Sequence, residues 1–368
     1  MRKTYLDNIR WVTVVLVVIY HVLYMYNAEG IVGTLGKITN LNVQYYDAYQ
    51  YIVYPWFMML LFIVSGASAR YSLDKHTGKE FIKSRTTKLL VPTTVGLFVF
   101  YFIQGYININ FSSVGGNPDI PMIGKVFACI LSGIGVMWYL QMLWLFSLVI
   151  VLIKSIDRDR LWDNCKNTPF WALIIIGGVV YLAGQAGNTP IIVVYRFGLY
   201  FLAFLLGYFV FSHDEVIKVT GKYFPSWLVI ALALGTVFTV MYFGQNYADN
   251  PIYRSPLFLL YGWFGCLAMI GGFARYFDFE NGFTKWMSSH SWGLYLFHYL
   301  GISSVALFIA KPGLAPAWAC YLLSLVCGFA LPYGLYYVIS RLPFFRWAVL
   351  GISKKTQKQV DCRKEQDV

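Results

Sequence analysis

The stretch Arg10-Trp-Val-Thr-Val-Val-Leu-Val-Val-Ile-Tyr-His21-Val-Leu-Tyr-Met25 decides the fold class of this protein. Apart from its first residue and His21, the stretch carries no ionisable group of physiological charge, and it extends to an apolar run over residues 9–26. An α-helix needs about 20 such residues to cross roughly 30 Å of hydrocarbon. No small-residue cleavage site follows, so we expect a retained membrane span and not a signal peptide.

The composition of the whole chain agrees with a membrane protein. Of its 368 residues, 58% are apolar and only 12% are charged, and the mean hydropathy is +0.58. These values lie far outside the range of soluble domains. The six cysteines are scattered and form no CxxC pair, so we predict neither a disulfide framework nor a metal site.

Similar apolar runs recur along the chain and predict an all-α polytopic bundle of about ten transmembrane helices. Residues 123–136 are a further interfacial candidate. We expect a transmembrane domain over residues 1–340 and a basic cytoplasmic tail over residues 341–368. The predicted spans lie near residues 9–26, 50–69, 89–108, 137–153, 170–185, 190–211, 225–244, 255–274, 291–310 and 317–339.

The basic residues orient these spans. With the N-terminus inside, 23 of the 29 Lys and Arg residues fall in cytoplasmic segments, as the positive-inside rule requires. Both termini are then cytoplasmic. Topology therefore accounts for most of the formal charge of +12, and the lipid bilayer is the expected partner, with no need for a nucleic acid.

Four ionisable residues remain inside or at the edge of predicted spans: Arg10, His21, Arg196 and His298. Burying a charge in hydrocarbon costs roughly several kcal/mol, so such residues are functional candidates. Arg10 and His21 are eleven residues apart, which places them on one face of a helix with a rise of about 16 Å. Arg10 is either an interfacial anchor beside Asp7 or a site residue. His21 either bonds neighbouring helices or acts as a general base.

Arg196 and Trp138 each have two interpretations, and His298 is described by its place in a span. His298 lies about two turns into the ninth predicted span. Arg196 either snorkels outward or holds an anionic or polyol acceptor. Trp138 belongs either to an interfacial aromatic belt or to a sugar-stacking site.

The second cytoplasmic loop begins at Arg70 and includes Arg85-Thr-Thr-Lys88. Its basic residues either meet anionic lipid or clamp a phosphorylated cytoplasmic substrate, since Arg85 and Lys88 are one helical turn apart. Arg70 is a further candidate phosphate ligand.

Taken together, these residues and motifs resemble the membrane acyltransferase 3 family, in the expected order and over nearly the whole chain. The opening and the Ser65-Gly66 region are most similar to the glucan biosynthesis protein C group, a glucan succinyltransferase group. The motifs are Arg10-x10-His21, Phe62-Ile-Val-Ser-Gly66, Arg85-x-x-Lys88-Leu-Leu-Val-Pro92, Met137-Trp-Tyr-Leu140, Phe204-Leu-Leu-Gly207 and Ser291-Trp-Gly-Leu-Tyr-Leu-Phe-His298.

The resemblance implies transfer of an acetyl or succinyl group from cytoplasmic acyl-CoA, as a co-substrate, to a hydroxyl of an extracytoplasmic carbohydrate or other envelope acceptor. It also implies the bacterial cytoplasmic membrane as the location. His21 would be the base and Arg10 its essential partner, with His298 as a third site residue. Arg85 and Lys88 would lie near the CoA phosphates, although Lys88 stands where an arginine is usual and lacks its bidentate fork.

Two other classes of function remain open from the residues alone. A transporter or flippase of a polyol or lipid-linked glycan would use the same buried His and Arg without covalent chemistry, but the sequence has no detectable inverted repeat. No Asp or Glu lies inside a predicted span, which disfavours ion-coupled transport. A structural membrane protein would tolerate substitution of His21 and Arg10.

Overall fold

The computed structural model describes residues 3–27, 33–189 and 194–353, and in these residues the regular structure is entirely helical. The predicted all-α class is confirmed. The α-helices are α1 (Thr4–Met25), α2 (Ala48–Leu73), α3 (Gly78–Arg85), α4 (Phe102–Phe111), α5 (Ser113–Gly116), α6 (Met122–Ser132), α7 (Trp138–Asp157), α8 (Arg160–Asn164), α9 (Phe170–Gln185), α10 (Phe197–Phe209), α11 (Asp214–Lys222), α12 (Phe224–Tyr242), α13 (Pro256–Tyr276), α14 (Gly282–Val305), α15 (Ala317–Arg341) and α16 (Pro343–Leu350).

Seven helical segments of the described chain are long and apolar enough to cross a membrane. They coincide with seven of the predicted spans, and the extension of the first helix back to Thr4 brings Asp7 into it. The segments are Thr4–Met25, Tyr45–Leu73, Gly135–Asp157, Phe224–Tyr242, Pro256–Tyr276, Gly282–Ala310 and Ala317–Arg341. The orientation of the termini stays a prediction.

The other three predicted spans are not single helices of spanning length, so the count of ten is not confirmed. Helix α9 has 16 residues. The predicted span 190–211 is represented by α10, which is bent by 108° from α11, and residues 190–193 lie outside the described part. The predicted interfacial segment 123–136 contains the short apolar helix α6.

The predicted span 89–108 is broken for a local reason. Two π-helical turns, Thr86–Leu90 and Leu97–Tyr101, flank a turn at Pro92 and precede α4. Proline has no amide hydrogen to donate, and the next residue, Thr93, donates its hydroxyl to the carbonyls of Leu89 and Leu90 at 3.1 and 3.0 Å. The regular α-helical ladder is therefore interrupted here.

The chain forms two compact units. The first comprises Met1–Tyr20, Asn40–Gly78 and Phe146–Ser291, and the second comprises His21–Thr39, Lys79–Leu145 and Trp292–Val368. Helices α1, α7 and α14 each contribute residues to both units.

The tightest helix packing of the first unit joins α2 and α10 through two glycines. A Cβ atom at Gly66 would lie 2.0 Å from the Phe204 carbonyl oxygen, and one at Gly207 would lie 1.9 Å from the Ile63 carbonyl oxygen. Small residues allow helix backbones to approach this closely in membranes, where dispersion contacts replace the hydrophobic driving force. The two sequence motifs that contain these glycines therefore meet as one packing contact.

The first prediction concerns this contact. We expect Gly66→Ala to lower the free energy of unfolding by about 1 to 3 kcal/mol, because the added methyl group cannot fit against a backbone carbonyl. Thermal unfolding of the detergent-solubilised protein measures the loss. The matched control is Gly178→Ala, also in a helix of the first unit, where an added Cβ meets no atom within 4 Å. Equal unfolding temperatures for the two variants would contradict the packing role.

In the second unit, the end of the described chain packs onto the π-helical region. The Tyr101 hydroxyl donates to the Val349 carbonyl at 3.1 Å, and the Trp292 indole donates to the Leu350 carbonyl at 3.0 Å. Val349 and Leu350 are fully buried. The first part of the predicted tail is therefore a packed helix, α16, whereas residues 354–368 lie outside the described residues.

Candidate active site

Two of the predicted site residues form a direct pair inside the second unit. His298 of α14 is fully buried, and its Nε2 lies 3.1 Å from Nδ1 of His21 on α1. The His298 Nδ1 lies 3.1 Å from the Leu294 carbonyl oxygen and 2.8 Å from the Tyr295 carbonyl oxygen. The sequence named both histidines as candidates but gave no indication that their rings touch.

The partners of His298 determine where the protons of the pair reside. Because carbonyl oxygens only accept, the His298 Nδ1 must carry a hydrogen and donate it. The Nε2 of a neutral His298 is then an acceptor, so the His21 Nδ1 must donate to it. The unprotonated ring nitrogen of neutral His21 is therefore Nε2, which is the form that a general base needs.

A tyrosine packs against the pair, and a polar contact lies further along the same helix. Tyr299 packs edge-on against His21, with ring centroids 5.2 Å apart, and its hydroxyl donates to the Gly33 carbonyl at 2.8 Å. One helical turn further along α14, Ser303 accepts a hydrogen bond from the Gln104 amide at 3.0 Å. Tyr299 and Gln104 are not recognisable from the sequence, because uncharged polar residues in apolar runs carry no distinctive signal of their own.

An aromatic line leads along α14 to the histidine pair. The Lys88 Nζ lies 5.0 Å from the centroid of the Trp292 ring. Trp292 stacks on Tyr295 at 6.4 Å, and Tyr295 lies 6.2 Å from the His298 ring. The spacing of three residues places neighbours on adjoining turns of one side of the helix. Lys88, Trp292, Tyr295 and His298 therefore form a continuous line, which we call the aromatic track.

The basic pair itself lies at a change of helix type. Arg85 ends α3 and lies 4.9 Å from the Phe81 ring, while Lys88 follows in the π-helical turn. Lys88 is exposed and Arg85 is half-buried. Between them, the Thr86 hydroxyl accepts a hydrogen bond from the Trp144 indole at 3.0 Å. Arg85 and Lys88 were expected to share one face of a regular α-helix. A π-helical turn is wider, so that expectation does not apply directly.

Trp138 also approaches the histidines through ring contacts. It begins α7, and its ring lies 6.4 Å from that of Tyr139, which in turn lies 5.8 Å from Tyr295. Tyr295 is the same residue that contacts His298. The structure therefore connects the predicted sugar-stacking residue to the aromatic track, although its role as a substrate ligand stays a prediction.

Arg10 lies in the first unit, three turns before His21 on α1. It forms an ion pair with Asp7 and a hydrogen bond to the Ser68 hydroxyl. The pairing with Asp7 follows the expectation from the sequence. Its catalytic role stays a prediction.

Arg70 lies in a network of charged residues in the first unit. It pairs with Asp159 and, at 3.0 Å, with Asp74, and its guanidinium lies 3.9 Å over the Trp162 ring. Its side chain is only 7% exposed. These contacts occupy the fork of the guanidinium, and the predicted role of Arg70 as a CoA ligand remains a prediction.

The second prediction concerns the turn that supplies Asp159. This residue has a φ of +67°, a left-handed conformation that asparagine and aspartate tolerate better than other non-glycine residues. We expect Asp159→Ala to lower the free energy of unfolding by about 1 to 3 kcal/mol, because Arg70 loses an acceptor. Asp159→Asn, which keeps an acceptor and the backbone preference, should lose less in a thermal unfolding assay. The reverse order would refute this explanation.

Arg196 is enclosed by the protein and does not extend to its surface. It is 2% exposed and donates to the Tyr54 hydroxyl at 2.6 Å. Its guanidinium lies 4.5 Å from the centroid of Tyr253 and 5.3 Å from that of Phe258. Aromatic faces of the first unit enclose this charge.

The structure is thus that of an integral membrane protein with a hydrogen-bonded histidine pair in its second unit. A family model described as an acyltransferase domain, that of the acyltransferase 3 family, matches residues 3–337. The chain belongs to this family, and it is therefore an acyltransferase that transfers groups other than aminoacyl groups. No curated protein and no solved structure shows significant similarity to the chain.

Proposed function

We propose that the protein is an O-acyltransferase that moves an acetyl or succinyl group from cytoplasmic acyl-CoA to a hydroxyl of an extracytoplasmic carbohydrate. The bacterial cytoplasmic membrane is the proposed location. The observation that carries the proposal is the aromatic track, which leads from an exposed lysine to a histidine pair with an unprotonated Nε2 on His21. Membership of the acyltransferase 3 family supports acyl transfer as the chemistry.

The donor is proposed to bind along this track. Lys88 and Arg85 would bind phosphate groups of CoA, the lysine as a point charge and the arginine through its planar fork. The pantetheine arm would pass Trp292 and Tyr295 toward the histidines. From Trp292 to His298 the helix rises by roughly 9 Å. The thioester would thus lie beside His21 while the phosphates stay with the basic residues.

The chemistry follows from the protonation of the pair. The Nε2 of His21 removes the proton from the acceptor hydroxyl while the hydroxyl oxygen attacks the carbonyl carbon of the thioester. When the carbon–sulfur bond breaks, His21 transfers that proton to the CoA thiolate. The products are the acyl ester and free CoA. During this step the Nδ1–H of the charged His21 donates to His298, a charge-assisted bond that is stronger than the neutral one. His298 is therefore proposed as a positioning residue for His21.

The acceptor is proposed to be an envelope carbohydrate, with the succinylated glucans of the glucan biosynthesis protein C group as the nearest expectation. Trp138 would stack on a sugar ring, which suits an aromatic residue that is half-buried. Arg196 is proposed to bind an anionic or polyol group of the acceptor, and Arg10 to act with His21, as the family motif implies. Arg70 is a proposed additional ligand of CoA.

The third prediction tests the reaction. In membranes that contain the protein, we expect radiolabelled acyl groups to pass from acetyl-CoA or succinyl-CoA to envelope carbohydrate, with release of CoA. His21→Ala should reduce this transfer by about 100- to 10,000-fold, the usual range for loss of a general base. Both the label in carbohydrate and the free thiol of CoA are measured at equal expression.

The control is His76→Ala, which removes an exposed histidine outside the site and should leave transfer unchanged. Arg10→Ala and Arg196→Ala are assayed in parallel, and the first is expected to abolish transfer. Equal CoA release in the wild type and His21→Ala would refute the role of His21. Activity with only one of the two thioesters would identify the acyl group.

The fourth prediction separates positioning from packing at His298. The Oε1 of a glutamine can replace the His298 Nε2 as acceptor for the His21 Nδ1–H, whereas leucine cannot. We therefore expect His298→Gln to retain kcat within about tenfold and His298→Leu to lose about 100-fold or more. The KM for acyl-CoA should stay unchanged in both variants.

Both substitutions remove the bonds from Nδ1 to the Leu294 and Tyr295 carbonyls. If the role of His298 were purely structural, kcat would therefore fall by the same factor in both variants. Equal kcat values for the glutamine and leucine variants would therefore exclude the positioning role. His290→Leu, at a half-buried position of the same helix, is the control for substitution in α14.

A further inference from the structure

A second candidate binding site lies in the first unit, outside the histidine pair and the aromatic track. It is a cavity of about 410 Å³ beside α11, the last turn of α13 and the first described residues of the chain. Its wall contains the apolar side chains of Ile217 and Ala274 and a set of charged residues. The charged residues are Lys3, Asp214, Lys218, Lys222, Arg275 and Asp278.

The carboxylates of this wall are already engaged. Both oxygens of Asp214 lie within 2.8 Å of the Lys3 Nζ, and Asp278 accepts the backbone N–H of Tyr5 at 3.0 Å. The remaining cations, Lys218, Lys222 and Arg275, form no ion pair within the described ranges. The wall therefore carries a formal net charge of about +2, from four basic and two acidic side chains.

The helix that supplies two of these cations has the character of an interfacial helix. Helix α11 is bent by 108° from the apolar helix α10. Val216, Ile217 and Thr220 are buried on one side, while Lys218 and Lys222 are exposed and one turn apart. A short helix with an apolar face and a lysine face is typical of segments that lie in the plane of the membrane surface.

We propose that this cavity binds a phosphate group, with Lys218, Lys222 and Arg275 as its ligands. Two lysines supply point charges and the arginine supplies a planar fork, a combination that suits a phosphate better than a neutral ligand. The adjoining Ile217 and Ala274 suit a phosphate that is attached to an apolar group. An anionic phospholipid headgroup and the phosphates of CoA both have this chemistry, and the interfacial helix favours the lipid.

The fifth prediction is that removal of the three cations weakens phosphate binding by on the order of a hundredfold, since each basic residue near a membrane surface contributes about fivefold. The test variant is the triple substitution Lys218→Gln, Lys222→Gln and Arg275→Gln in the full chain. Native mass spectrometry counts phosphatidylglycerol molecules bound to the protein from nanodiscs that also contain phosphatidylcholine. A separate titration measures the Kd of coenzyme A for the detergent-solubilised protein.

The matched control removes the same number of charges from exposed positions outside the cavity and outside the second cytoplasmic loop, by Arg158→Gln, Arg160→Gln and Lys311→Gln. Because all six side chains are exposed, both triple variants should unfold at the wild-type temperature. Loss of phosphatidylglycerol binding in the cavity variant alone identifies a lipid site, and loss of coenzyme A binding alone identifies a nucleotide phosphate site. Equal binding of each probe by the two triple variants overturns the proposal. Neither readout requires catalysis, so failure of the proposed acyl transfer would leave this result interpretable.

Discussion

A polar group that is buried among membrane helices must have a partner inside the protein, because hydrocarbon supplies none. His298 shows the consequence most directly. Its Nδ1 is used by two carbonyls of its own helix, so its Nε2 can only accept, and His21 must supply the hydrogen. A requirement for hydrogen-bond satisfaction thereby orders the protons of the pair and leaves His21 in the form of a base.

The same requirement organises two buried arginines of the first unit. Arg196 is held by the hydroxyl of Tyr54 and by aromatic faces, and Arg70 is held by two carboxylates and an indole. In both cases the sequence showed an arginine at the edge of an apolar run, whereas its partners, apart from Asp74, came from distant parts of the chain. Charge pairs of this kind are costly to break, which makes the turn at Asp159 important for stability.

Helix α14 combines the structural and the functional requirements of the second unit. One side of it carries Trp292, Tyr295 and His298 in ring contact, and its Ser303 joins the polar network of Gln104. Trp292 also anchors the end of α16 through the Leu350 carbonyl. The site that we propose for acyl transfer therefore depends on the packing of the segment after residue 340, which the sequence had indicated as a tail.

Most of the helices were predictable because an apolar run of spanning length has few alternatives to a transmembrane helix. Where a predicted span is not a single helix, the cause is local. Near Pro92 the chain lacks an amide hydrogen and forms π-helical turns, and α10 ends in a bend that places the amphipathic α11 across its direction. Hydropathy averaged over a window does not register a missing hydrogen-bond donor or a change of direction.

The sequence by itself determined the membrane class, the all-helical architecture and the candidate residues Arg10, His21 and His298, because apolar run length and intramembrane charge are properties of composition and spacing. Only the tertiary structure decided that the two histidine rings meet, which ring nitrogen carries each proton, and that Gly66 and Gly207 share one packing contact. These facts depend on atoms that are brought together from residues far apart in the chain. Residues that are far apart in the chain leave no local sequence pattern when they meet, and the exact positions of their atoms decide which contacts form.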